Sequence, residues 1–220
     1  MRTVRFYFDY ISPYAGLALL RADAFAREHS IAWDLRPVVF GAVLDATGLV
    51  GPAEVDSKRR SAFLDVMRCA ELQGERFVFP PAHPFKSLAA LRLTCLHRSS
   101  EHALPLAAGL VRAAWCDGRD LTDLDVLSDV ARELGLPGDD LGERLAEPAV
   151  KQDLRTLTED FIERGGHGVP TFEFEGELFW GQDRLDHLAA RLDGRLSSMD
   201  AQLEDVLARP RGADRAARRG

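Results

Sequence analysis

Apolar and polar positions alternate over residues 4–9 (Val-Arg-Phe-Tyr-Phe-Asp), rich in aromatic and β-branched side chains, and predict a first strand. Ser12 and Pro13 follow at once, a preferred N-cap and a preferred first helical residue. Leu17, Leu20, Ala24 and Phe25 then recur at helical spacing to about Glu28. Alternation returns over residues 31–40, with Pro37 placed for an edge or bend. The opening is thus a β-α-β unit, for which parallel pairing and a right-handed crossover are the default.

From Gly41 to about Gly166 the pattern becomes helical, interrupted by Gly and Pro. Helices are expected over residues 55–72, 87–98, 103–116, 124–134 and 147–164, with a proline-rich connector over 74–84. Asp123 suits a cap and Gly135 a stop. Strand character resumes over 169–174, turns at Glu175-Gly176 and returns over 177–180, before an amphipathic helix over 183–192. Set aside the helical block and a thioredoxin-like α/β core remains, in the order β-α-β then β-β-α. The expected division is a discontinuous thioredoxin-like domain (1–41 and 167–195), an all-helical insertion (42–166), and a C-terminal helix with a basic tail (196–220).

Composition narrows the classes. The chain has 220 residues, 46% hydrophobic and 29% charged, enough for a sizeable core. No apolar run approaches the roughly 20 residues of a membrane span. The opening Met-Arg-Thr-Val-Arg carries no signal-peptide pattern, so the expectation is a cytoplasmic protein. A net charge of −7 argues against nucleic acid as a partner, although five arginines crowd residues 209–220. That tail reads as a solvated end, with a polyanion-binding arm as the alternative. The three cysteines (Cys69, Cys95, Cys116) show no paired spacing and read as free thiols.

Chemistry is suggested at three points. Ser12, at the turn between first strand and first helix, would sit where the helix offers unpaired N–H groups and partial positive charge. A thiolate resting there is stabilised, and a serine hydroxyl can donate to it. Equally, Ser12 is a plain N-cap. Gly168-Val169-Pro170-Thr171 enters the third strand; in a thioredoxin architecture a cis proline here faces the first helix, and the residue before it offers its backbone to a bound peptide. Gly181-Gln182-Asp183-Arg184 reads either as a helix cap by Asp183 or as a grip on an α-amino acid head group.

Together, residues 8–14 (Phe-Asp-Tyr-Ile-Ser-Pro-Tyr), 81–85 (Pro-Ala-His-Pro-Phe), 168–171 and 179–185 (Phe-Trp-Gly-Gln-Asp-Arg-Leu) resemble the 2-hydroxychromene-2-carboxylate isomerases. These are relatives of kappa-class glutathione transferases in the DsbA-like thioredoxin superfamily, and the resemblance spans about residues 3–192. It implies glutathione as cofactor. Ser12 would contact the sulfur and act as catalytic residue, Val169 with Pro170 would pair with the cysteinyl part, and Gln182 with Asp183 would hold the γ-glutamyl group. Lys58 falls near the glycyl carboxylate. The implied reaction interconverts a cyclic hemiketal aromatic acid and its trans-benzylidenepyruvate by reversible thiolate addition. A homodimer is implied as well.

On the substrate side the candidates are Tyr10, Tyr14, Leu49, His83 and Lys86. Leu49 and Lys86 stand where the family usually carries Asn or Gln. The histidines show no metal spacing with cysteines or carboxylates, so no metal is expected. Two further classes stay open: a kappa-like glutathione transferase, and a non-catalytic thioredoxin-like binding protein. A dithiol mechanism is disfavoured, because no cysteine stands at 12 or 15.

Overall fold

A computed structural model describes residues 1–210 and 212. Strand β1 (Arg2–Phe8) buries Val4, Phe6 and Phe8 on one face and Tyr7 on the other, so both sides of its second half are covered. Helix α1 (Pro13–His29) follows. It stops at Ser30, whose left-handed backbone lets its N–H reach the Ala26 and Arg27 carbonyls. Strand β2 (Ile31–Pro37) pairs parallel to β1 from Arg2↔Ile31 to Phe8↔Pro37, as the β-α-β reading expects.

The final strands complete a sheet of order β2-β1-β3-β4. β3 (Thr171–Phe174) runs antiparallel to β1, and β4 (Glu177–Trp180) antiparallel to β3. Glu175 and Gly176 both have positive φ (53° and 85°), which a two-residue hairpin of matching twist requires. The α/β, thioredoxin-like architecture is therefore as read from the pattern, with β1 central and β2 a proline-ended edge.

Between β2 and β3 lie α2 (Phe40–Thr47), α3 (Asp56–Leu72), α4 (Leu88–His97), α5 (Ala103–Val111), α6 (Leu124–Glu133), α7 (Leu141–Ala146) and α8 (Pro148–Glu163). α9 (Leu185–Leu192) and α10 (Asp200–Leu207) follow β4. Several boundaries differ from the sequence reading, each for a local reason. The strand expected to reach residue 40 ends at Pro37, which has no N–H for the ladder, and Phe40 instead opens α2. The helix expected over 103–116 widens into a π turn at Arg112–Cys116. The strand expected from 169 begins at Thr171, leaving Val169 and Pro170 free of the sheet. Asp183 caps nothing: a 3-10 turn (Gln182–Arg184) precedes α9 and has Gly181 before it. The arginine-rich tail lies almost entirely outside the described residues.

One apolar core runs from Val4, Phe6 and Phe8 through Leu19 and Phe25 into Leu91, Leu106, Leu110 and Trp115 of the helical block. Each such side chain contributes on the order of 1.5–3 kcal/mol of burial. On the other face Tyr7 stacks on Phe161 at 4.5 Å beside Val38, Val43 and Val169. Glu173 is buried here but fully answered: Arg5 at 2.5 Å, the Tyr7 hydroxyl at 2.8 Å and Arg164 at 3.3 Å. Among the described residues no helix is long and apolar enough to cross a membrane.

Candidate active site

The C-terminal end of β1 delivers the chain into a turn whose polar backbone groups are tied one by one. The Ser12 N–H bonds the Asp9 carbonyl (3.0 Å), and the Ile11 N–H bonds Asp9 Oδ1 (3.1 Å). The Tyr10 carbonyl accepts from Trp115 Nε1 (2.9 Å). The Ile11 carbonyl meets His83 Nε2 (2.9 Å), and since a carbonyl can only accept, that nitrogen carries the proton. The turn belongs to the sheet; Trp115 and His83 belong to the helical block that grips it.

Ser12 is the N-cap of α1 and only 8% exposed. Its Oγ accepts from Ala15 N (3.2 Å) and donates to the Val169 carbonyl (3.2 Å). The Val169–Pro170 peptide is cis. The Pro170 carbonyl accepts from Gly181 N (2.9 Å), where φ of 118° is open to glycine alone at low cost. Gln182 then reaches α3: its Nε2 lies 3.6 Å from Cys69 Sγ and its Oε1 accepts from Gln73 Nε2 (3.2 Å). The three segments singled out in sequence thus meet in one bonded series, from Ser12 to Val169-Pro170 to Gly181-Gln182 to α3.

Beside the first turn of α1 an open groove of about 550 Å³ is lined by Tyr14, Lys58, Ser61, Asp65 and Arg68 among others. Tyr14 donates to Asp65 Oδ2 at 2.7 Å, and burial together with that carboxylate holds its phenol protonated. Cys69 is pushed up by burial and by the charges of Asp65 and Asp183. Cys116 is raised mainly by burial, and burial lifts Cys95 to about 12. None of the three offers a thiolate near neutrality. The groove sets two cations, Lys58 and Arg68, beside one carboxylate, Asp65, and is of a size for a small ligand with free carboxylates.

The family pattern described as the DSBA-like thioredoxin domain matches residues 3–193. The chain is also 30% identical over 205 residues to 2-hydroxychromene-2-carboxylate isomerase of Pseudomonas putida, covering 91% of this chain and 98% of that one. The chain belongs to the 2-hydroxychromene-2-carboxylate isomerase family of DSBA-like thioredoxin domains. A solved structure of 2-hydroxychromene-2-carboxylate isomerase superposes with a TM-score of 0.81 at 27% identity, covering 91% of this chain and 98% of that one. Human glutathione S-transferase kappa 1 is 24% identical over 206 residues, covering 86% and 89%.

Of the candidates of this isomerase-family chain, Tyr14 and Lys58 line the groove, while Ser12, Val169, Pro170, Gln182 and Asp183 are not among its lining residues. Tyr10 is a correction: it is wholly buried, and its hydroxyl donates to Thr94 Oγ1 (2.6 Å), whose own proton goes to the Ala90 carbonyl. It is a core residue. His83 sits among the rings of Phe63, Phe85 and Trp115, holding the turn rather than facing the groove. Leu49 and Lys86 are exposed, and no hydrogen bond or ion pair among the described residues ties either to Ser12. Asp183 is exposed and pairs with Arg184 at 3.3 Å.

Sequence reasoning missed Asp9, Asp65, Gln73 and Trp115. Asp9 had a signal: an acid inside an otherwise aromatic and aliphatic run, residues 6–11. The others come from the helical block, where only the folded chain brings them to the turn.

Burial depresses the His83 imidazolium below its ordinary 6.5, and Arg59 adds to that. The unfolded chain therefore binds a proton first, and stability present above pH 6.5 is lost as pH falls through the lower folded value. Asp9 is shifted the opposite way, upward by burial, and opposes the trend at the acid end. Thermal midpoints measured from pH 7.5 to 5 are expected to fall, with a shallower fall in His83→Asn. Parallel slopes in the two proteins would remove His83 from this account.

Proposed function

We propose that the protein is a glutathione-dependent isomerase acting on 2-hydroxychromene-2-carboxylate or a closely related conjugated aromatic acid. The observation that carries this reading is the Ser12 hydroxyl, held at the start of α1 against the carbonyl of the cis-proline segment, with Tyr14 two residues on lining a groove that bears Lys58 and Arg68. When bound, glutathione supplies the thiolate nucleophile that no group of this chain provides.

Ser12 would turn its hydroxyl proton from the Val169 carbonyl toward the sulfur, since a hydroxyl rotates at little cost. The first N–H groups of α1 add positive potential at the same point. Val169 would hold the cysteinyl backbone, and Gln182 with Asp183 the γ-glutamyl head. Lys58 and Arg68 would take a carboxylate. On the substrate side the groove itself offers Tyr14, whose raised phenol can donate but not act as a base near neutrality.

Glutathione at ten times its dissociation constant is expected to stabilise the fold by about 1.4 kcal/mol, read as a higher thermal midpoint. No shift at millimolar glutathione would defeat the cofactor assignment. An absorbance assay with 2-hydroxychromene-2-carboxylate, with and without glutathione, tests the reaction. Glutathione recovered unchanged after many turnovers means isomerase; glutathione consumed into the product would favour the transferase reading that the kappa relative supports.

A further inference from the structure

Asp9 is 2% exposed, yet no Lys, Arg or His among the described residues is its partner. Its carboxylate is met instead by backbone N–H donors. Oδ1 accepts from Ile11 N (3.1 Å) and Oδ2 from Phe40 N (2.9 Å). Ile11 leads into α1. Phe40 is the first residue of α2, whose N-cap position, Val39, supplies no side-chain cap. A single carboxylate therefore ties the turn that leads into α1 to the first N–H of α2, whose partial positive end takes the place of a counter-ion. Its own backbone carbonyl holds Ser12 N.

We propose that Asp9 is the positioning residue of this site, fixing the Ser12 hydroxyl by joining the turn before α1 to the start of α2. Its effect on turnover rests on the reading of Ser12 given above; its effect on the turn does not. An amide at position 9 has one acceptor oxygen, so either Ile11 N–H or Phe40 N–H would face an NH₂ group.

The test uses the full chain carrying Asp9→Asn, Ser12→Ala, and both together. Glutathione-dependent turnover of 2-hydroxychromene-2-carboxylate and amide hydrogen exchange at Ile11, Ser12 and Phe40 are measured in each. Asp9→Asn is expected to lower kcat by about tenfold or more, with KM for glutathione changed less than about threefold. The double variant should be no slower than Ser12→Ala alone, because Asp9 acts through Ser12. Exchange at Ile11 and Phe40 should quicken by about tenfold while amides in β3 hold. Losses that multiply in the double variant, or unchanged exchange in a folded Asp9→Asn protein, would overturn the proposal. If the unaltered protein shows neither turnover nor stabilisation by glutathione, the Ser12 reading fails, and exchange alone decides for or against Asp9. Should Asp9→Asn not fold, exchange in the unaltered protein decides: protection of the Ile11 and Phe40 amides like that of β1 amides supports the proposal, and exchange as fast as in exposed loops refutes it.

Discussion

Ser12→Ala is expected to abolish most glutathione-dependent turnover while leaving the protein folded. The rate loss should be on the order of a hundredfold, the scale of removing one preorganised donor from a developing negative charge. Stability should fall by only about 1 kcal/mol, the usual cost of losing an N-cap. In a chain of this size that is a drop of about 2–4 °C in thermal midpoint. The two effects separate because they use different parts of one hydroxyl. Its lone pair caps Ala15 N, and its proton, now on the Val169 carbonyl, is the part available to a sulfur. Glutathione affinity should change little, since Val169, Gln182 and Lys58 hold other portions of the tripeptide in the proposed arrangement. A folded Ser12→Ala protein with full kcat would remove Ser12 from the chemistry and leave it a helix cap.

How far the sequence could carry this differs between the sheet and the helices. β1, α1 and β2 were legible because period-two and helical spacing, a Ser-Pro start and a β-branched run all agree locally. The hairpin was legible from Glu175-Gly176. Ser12, Val169-Pro170 and Gln182 could be singled out because each lies at an element boundary, where the chain's chemistry is conspicuous. Tyr10 misled for the same reason: it flanks Ser12 in sequence, but the turn carries its side chain into the core, where Thr94 of α4 receives it. Asp65, Gln73 and Trp115 were invisible because their roles exist only across the gap between the sheet and the helical block. Nothing local distinguishes a buried tryptophan that fills space from one that donates to a turn carrying a candidate site residue.

Trp115→Ala should produce the largest loss of stability. Trp115 is wholly buried, lies against Phe77 and Phe79 at ring distances of 5.9 and 5.7 Å, and donates to the Tyr10 carbonyl. Helix α1 approaches it so closely that a side chain at Gly16 would stand 3.3 Å from its Cδ1. Truncation to Ala should cost about 3–5 kcal/mol through lost contacts and a cavity, a drop on the order of 10 °C in thermal midpoint. Trp115→Phe separates packing from polarity. It keeps most ring contacts but leaves the Tyr10 carbonyl without its donor, at about 1–3 kcal/mol. That carbonyl is two residues from Ser12, so Trp115→Phe should also lower kcat more than its modest change in midpoint would suggest. Thermal unfolding and kcat measured on both variants decide the matter. A Trp115→Phe protein as stable and as active as the parent would mean that the indole N–H holds nothing, and that the turn keeps its shape through Asp9 and His83 alone.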